Sequence, residues 1–172
     1  VTDNGAASVI FAGVGQDGLA RLARRAHMTD CSPSPILGGT QISAADQARY
    51  FYRQDRLIPR RFRRYARTLL SGIAHEQSWG IPSVARPRFK VFFKGGWRGT
   101  DLGQLVHQVA RLEKVTKRTV GRRPYTTTTT ISIAVMTDAH PHMSYGVHPI
   151  RSPTQPHPGP THFSASPPRS AP

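Results

Sequence analysis

A lysine followed by two glycines, at positions 94–96, is the part of this sequence whose residue types are best suited to chemistry. In the segment before it, Phe89, Val91 and Phe93 fall on one face, which is the period of a half-buried β-strand. Because glycine has no Cβ, a ligand can approach the backbone closely after this strand. The strand end therefore brings the positive charge of Lys94 to a place suited to a binding cleft. A strand that ends in a flexible turn is the structural alternative.

A second polar group lies near the start of the chain. Thr2-Asp3-Asn4 resembles the Ser-Asp-Asn motif, and Lys94-Gly95-Gly96 resembles the Lys-Thr-Gly motif, of class A β-lactamases and penicillin-binding proteins. Their order and separation are also similar to those of the family. The resemblance implies a serine hydrolase that works through an acyl-enzyme.

Other segments extend the resemblance over roughly residues 1–151. They resemble the helix pair after the family's second motif, the helix after its Ω-shaped loop, and its last three strands. The branch they resemble is actinobacterial, rich in arginine, and carries Lys-Gly-Gly-Trp. The segments are Asp3–Ala7 with Gly18–Ala23, then Ile42–Arg49, and finally Phe93–Gly99, His107–Ala110 and Ile133–Asp138.

The resemblance implies catalytic roles for Thr2 and Lys94. The hydroxyl of Thr2 would relay a proton in place of the motif's serine. Lys94 would stabilise the substrate carboxylate and favour ionisation of that hydroxyl. Asn4 would bind the general-base lysine or the substrate amide.

The same resemblance implies that residues 95–98 bind the substrate. Gly96 and the backbone N–H of Trp97 would border the oxyanion hole. Gly95 stands where Lys-Thr-Gly has a hydroxyl, so a hydrogen bond to a carboxylate worth about 1.5–3 kcal/mol is lost. Arg98 is the candidate replacement for that donor.

Two catalytic features of the family are missing from the sequence. No serine is followed by lysine at the third position, so these residues hold no Ser-x-x-Lys nucleophile. Residues 28–42 contain Asp30 but no glutamate that could activate a deacylating water. We therefore expect a piece of a hydrolase that begins at the second motif and is inactive alone. A slow hydrolase, a carboxypeptidase-like protein, a binding relic and a non-functional fragment remain open.

The elements that must position these groups begin with helices. Residues 5–12 and 19–26 predict two short helices separated by Gly13 and Gly15, and residues 30–41 predict a loop.

Ser43, with Asp46 three positions later, predicts the capped start of the next helix. Its Ala48, Phe51 and Tyr52 would face inward.

The clearest helix begins after Pro59. Its apolar residues recur with the helical period and are expected to be buried, and its arginines are expected to form a solvated face. Nucleic-acid binding by that basic face is the alternative. The apolar stripe is Phe62, Tyr65, Ala66, Leu69, Leu70 and Ile73, and the arginines are Arg60, Arg61, Arg63, Arg64 and Arg67.

Three strands are predicted at 88–94, 104–113 and 129–138. Residues 114–125 are polar and basic and predict a long hairpin connection. The five threonines at 126–130 could extend the last strand.

The predicted fold class is α/β (α+β), with an antiparallel sheet flanked by helices. The resemblance makes residues 1–148 an incomplete β-lactamase-like domain. Residues 149–172 hold eight of the fifteen prolines and no acidic residue, and they predict a disordered tail.

The net charge of +15 attracts anions such as nucleic acid, acidic lipid and cell-wall polymers. A non-catalytic protein that binds nucleic acid or another anionic polymer is therefore the alternative function, and a GC-rich genome is a neutral explanation for the arginines. The resemblance implies a β-lactam or peptidoglycan peptide as partner, no specific nucleic acid, and a monomer acting outside the membrane. No run of 18 apolar residues exists, so no membrane span is predicted.

No metal or cofactor is predicted. The eight histidines lack the i, i+4 spacing of a helical zinc site. Cys31 lies beside Pro33 and Pro35 and is predicted to be a loop residue and not a nucleophile.

Overall fold

The structure, a computed structural model, describes residues 3–121 and 123–140, with the backbone alone at 139 and 140. These residues form helices and a three-stranded antiparallel sheet with the strand order β1-β2-β3. The predicted class, an antiparallel sheet with helices (α+β), is confirmed. The elements are α1 (Asn4–Ala26), α2 (Ala44–Leu57), α3 (Arg60–Ser71), a 3₁₀ turn (His75–Gln77), α4 (Ile81–Ala85), β1 (Lys90–Thr100), β2 (Gly103–Val120) and β3 (Arg123–His140).

The hairpin between β2 and β3 is longer than predicted. Residues 114–120 belong to β2, and the chain turns at Gly121, whose φ is 60°. The threonines at 126–130 lie opposite residues 113–117, since β-branched side chains favour the extended backbone. The predicted connection at 114–125 is therefore wrong, whereas the extension of the last strand through the threonine run is confirmed.

The first half of β1 supplies the core. Val91 and Phe93 are buried on one face of the sheet, where α4 covers them. Phe92 is fully buried on the opposite face, where the guanidinium of Arg67 in α3 lies 4.3 Å from the centre of its ring. Helices therefore cover both faces of this part of the sheet.

A closed ring of charges holds α3 against the sheet. Arg67 and Arg111 each pair with both Asp55 and Glu113, through four salt bridges of 2.5–2.8 Å. The hydrogen bond with Glu113 is the main cause that raises the pKa of Arg67. Because Arg67 faces the sheet, the arginine side of α3 supplies part of its docking contact.

The predicted burial of the apolar stripe on α3 is wrong for half of its members. Phe62, Tyr65 and Leu69 are 48%, 66% and 57% exposed. They share a helix face by their i, i+3, i+7 spacing, and that face points away from the sheet once Arg67 points toward it. Ala66, Leu70 and Ile73 are half-buried.

The first two helices form where they are predicted, but α1 is continuous and Tyr52 of α2 is exposed. α1 is one element with a kink at Gly15, whose φ of 63° and ψ of 179° lie outside the helical region, so the predicted break holds there and not at Gly13. Ser43 Oγ accepts the N–H of Asp46 at 3.2 Å, which confirms the cap of α2. Tyr52 is 54% exposed and does not face inward as predicted.

Two further predictions concern membranes and the tail. None of the helices in the described ranges is long and apolar enough to cross a membrane. The predicted tail at 149–172 lies outside the described residues.

Candidate functional site

The first turn of α1 fixes the position of Asn4. The side chain of Asp3 accepts the backbone N–H of Ala6 at 2.9 Å, so Asp3 is the N-cap and Asn4 is the first helical residue. Thr2, the predicted proton relay, lies outside the described residues. Of the first predicted motif, the structure therefore describes Asp3 and Asn4.

The two glycines of the second motif lie in different surroundings. A Cβ built on Gly95 would lie 2.8 Å from the ring of Trp79, which packs edge-on against Phe93 with 5.8 Å between the ring centres. Around Gly96, by contrast, no heavy atom lies within 4 Å of that position. Trp79 therefore leaves no room for a side chain at position 95, whereas the backbone at Gly96 leaves space for a ligand.

Asn4 and the end of the Lys-Gly-Gly-Trp segment line one cleft. The cleft consists of two hollows of about 310 Å³ and 740 Å³, and Asn4, Gly96 and Trp97 line both of them. Gly95 and Gln77 complete the smaller hollow. The fold therefore brings together Asn4 of the first motif and Gly96 of the second, which are far apart in the sequence.

Lys94 lies at the margin of this cleft. Its side chain is exposed, it is not among the residues that line either hollow, and its Nζ donates to the carbonyl of Gly95. Desolvation by the surrounding protein lowers the pKa of Lys94. The structure thus places the lysine next to the site, with its amine directed at the backbone of the neighbouring residue.

The loop between α1 and α2 forms a further wall of the larger hollow. Ser32 and Gln41 bridge it internally, with N–H···O distances of 2.9 and 3.0 Å. Arg98, which lines the larger hollow, donates from Nη1 to the carbonyl of Gly38 at 3.3 Å. Arg98 therefore lines the cleft and also links the loop to β1.

Asp46 anchors the base of this loop. It is fully buried and accepts the backbone N–H groups of Thr29 at 2.9 Å and Asp30 at 2.6 Å. Arg49 Nη1 adds a third contact at 2.6 Å. Burial alone would raise the pKa of Asp46, but these donors outweigh it and hold the pKa below its ordinary value.

Carboxylates are absent from the described lining of the cleft. Asp30 accepts the hydroxyl of Ser43 at 2.8 Å, at the start of α2 and not in either hollow. The guanidinium-bearing Arg98 and the imidazole-bearing His107 both line the larger hollow. The electrostatic character of the site therefore favours an anionic group on the ligand.

Sequence reasoning missed His107 and Gln77. His107 lies directly opposite Gly96 in the β1–β2 pairing, and its Nδ1 is buried without a hydrogen-bond partner in the described part of the chain. The signal that would have found it is the hairpin register, which depends on where the turn falls. Gln77 ends the 3₁₀ turn, in a segment without a periodic pattern.

Metal binding has no support at this site. Within the described ranges, no group of three or more His, Cys, Asp or Glu side chains could hold an ion. Cys31 is a half-buried free thiol in the predicted loop, and burial raises its pKa, which disfavours the nucleophilic thiolate.

Comparison with known proteins adds no relative. No protein-family model, no curated protein and no solved structure matches this chain.

Proposed function

We propose that this chain provides the substrate-binding wall of a serine acyl-hydrolase site related to those of β-lactamases and penicillin-binding proteins. The observation that carries the proposal is the single cleft lined by Asn4, Gly96 and Trp97. The substrate class is a β-lactam or a cell-wall peptide, both of which offer an amide carbonyl beside a carboxylate. The site of action is outside the cytoplasmic membrane, and the protein acts as a monomer.

The cleft supplies donors for both parts of such a substrate. Asn4 lines the same space as Gly96 and Trp97, and its side-chain amide and their backbone N–H groups suit an acyl carbonyl with its attached amide. Arg98 and His107 supply cationic or N–H donors to a carboxylate in the larger hollow. Lys94 at the margin adds positive charge to the same region.

We assign to these residues the positioning of the substrate and the polarisation of its acyl carbonyl. In acyl transfer, a serine oxygen attacks the carbonyl, the amide nitrogen leaves with a proton, and water then releases the acyl group. The sequence contains no Ser-x-x-Lys motif, so attack is not assigned to any serine of these 172 residues. The chain binds the acyl substrate without turning it over.

Titration of the isotope-labelled chain with a penicillin, followed by NMR, tests the proposal. We expect saturable shifts of the backbone amides at 95–98 and of the Asn4 side-chain amide, with no hydrolysis of nitrocefin. Gly96→Val fills the open space beside the strand and removes these shifts. Gly99→Val is the matched control, because Gly99 lies in the same strand but lines neither hollow.

Two outcomes would contradict the proposal. Shifts that map away from the cleft, or that persist unchanged in Gly96→Val, would separate ligand binding from these residues. Nitrocefin turnover or a covalent penicillin adduct would mean that the chain contains a nucleophile, and that its assigned chemistry is wrong.

A further inference from the structure

The outward side of α3 combines two strips of different chemistry. Phe62, Tyr65 and Leu69 form an apolar strip in which each side chain is about half or more exposed. Arg61 is exposed next to this strip, and Arg64 and Arg60 are exposed further round the helix, toward the side of Arg67. We call these three arginines the basic strip. The helix contains five arginines and no acidic residue. Exposed apolar residues at helical spacing beside cations are a feature of interaction surfaces and not of an ordinary solvated helix.

The way α3 docks keeps this surface outward. Arg67 faces the opposite way, into the ring of charges with Asp55 and Glu113 and onto Phe92. Arg63 is half-buried, and its Nε donates to the carbonyl of Ile58 at 3.1 Å. These contacts fix the rotation of the helix about its axis, so the apolar strip cannot turn inward without breaking them.

The arginines of the basic strip are available to an external anion. Within the described ranges, no carboxylate forms a salt bridge with Arg60, Arg61 or Arg64, although Arg67 of the same helix forms two. The guanidinium of Arg61 lies over the ring of Phe62, 4.7 Å from its centre, which joins the two strips.

We propose that this outward side of α3 docks on an anionic membrane surface. A helix in that position places its apolar strip among the acyl chains near the headgroups and its basic strip at the phosphates. Charge complementarity commits the surface to this occupant, because anionic lipid is the partner that meets a cationic strip and a continuous apolar strip at once. Single-stranded nucleic acid would pair with the arginines and stack on Phe62 and Tyr65, but it offers nothing apolar to Leu69.

Co-sedimentation of the whole chain with lipid vesicles tests the proposal. We expect binding to phosphatidylcholine vesicles that contain phosphatidylglycerol, weak binding to phosphatidylcholine alone, and loss of binding as salt rises. Arg61→Gln with Arg64→Gln should weaken binding roughly 30-fold. Phe62→Ala with Leu69→Ala should weaken it by about tenfold or more, through lost apolar burial.

The far end of the β2–β3 hairpin offers matched controls on the same protein. Lys117→Gln with Arg118→Gln removes the same charge from exposed positions, and Val115→Ala with Val120→Ala removes side chains that are 61% and 68% exposed. Each control should change vesicle binding by less than about threefold, since only charges within a Debye length of the surface contribute strongly. Circular dichroism of all four variants checks that the fold is kept.

The proposal is overturned by any of three results. The hairpin variants could lose binding as strongly as the α3 variants, which would move the contact to the hairpin. Binding could survive removal of Phe62 and Leu69 side chains, which would leave charge attraction alone. A fluorescent single-stranded DNA could bind in an α3-dependent manner while anionic vesicles do not, which would make nucleic acid the partner.

Discussion

The two halves of β1 differ in almost every physical respect. From Val91 to Phe93, each residue is buried and the strand is covered on both faces. From Gly96 to Thr100, the same strand is mostly exposed and borders the cleft. The backbone hydrogen bonding to β2 continues through both halves, so only the side chains separate them. The packed half can hold the open half in place without contributing to binding itself.

The largest expected effect belongs to the packed half. Phe93→Ala removes a ring that is 1% exposed and packs on Trp79, and it should lower the free energy of unfolding by about 3–5 kcal/mol. Trp97→Ala in the open half removes a larger side chain that is 43% exposed and should cost less than half as much. Urea unfolding followed by circular dichroism compares the two. Equal losses would abolish the distinction between the halves.

The loop between α1 and α2, which lines the cleft beside the open half of β1, depends on the buried charge of Asp46. Asp46→Asn keeps the shape of the side chain but weakens its contacts with Thr29, Asp30 and Arg49, at a cost of about 2–3 kcal/mol. Because the folded-state pKa of Asp46 is lowered, its contribution is complete above the unfolded pKa, at about pH 4. The contribution is lost as the pH falls from there through the folded-state pKa.

Urea unfolding at neutral and acidic pH measures this dependence. The stability difference between the wild-type chain and Asp46→Asn should be largest at neutral pH and should shrink below about pH 4. Asp30→Asn is the matched control in the same loop, since the carboxylate of Asp30 is exposed and, among the described residues, accepts a hydrogen bond from the hydroxyl of Ser43 alone. A constant difference across the pH range would mean that the charge of Asp46 is not what anchors the loop.

Gly95 lies at the boundary between the two halves of β1. A substitution there tests how closely the packed half is filled. Gly95→Thr introduces a hydroxyl at position 95 but drives a Cβ against the ring of Trp79. Overpacking should cost about 1–2 kcal/mol, partly offset by the strand preference of threonine. Trp79→Leu should relieve the clash in a double-mutant cycle. Additive effects in that cycle would show that Trp79 does not dictate the glycine.

Local patterns in the sequence predict many of the secondary-structure features but not how the helices pack against the sheet. The cap of Ser43, the kink at Gly15 and the amphipathic stripe of α3 follow from short-range rules, and each is present in the structure. The direction in which the stripe points does not follow from them. It depends on Arg67 meeting Glu113, a contact across 46 positions that no periodicity encodes.

The candidate site likewise contains residues that the sequence predicts and residues that it does not. Asn4, Gly96, Trp97 and Arg98 could be named because short motifs around them resemble those of a known family, and all four line one cleft. His107 could not, because its place opposite Gly96 is set by the register of a hairpin whose turn the sequence leaves open.

Gly96→Ala is expected to have the smallest effect on stability of these substitutions. It is also the most direct test of whether the two halves of β1 differ. No atom lies within 4 Å of the added methyl group, so the free energy of unfolding should change by no more than about 0.5 kcal/mol. The methyl group nevertheless enters the space shared by Asn4 and Trp97 and should weaken penicillin binding in the NMR titration. Binding would then respond to the substitution at Gly96 while stability does not, whereas Gly95→Thr should lower stability. A large stability loss in Gly96→Ala would mean that the open half of β1 is packed like the first, and that no cleft exists there for a substrate.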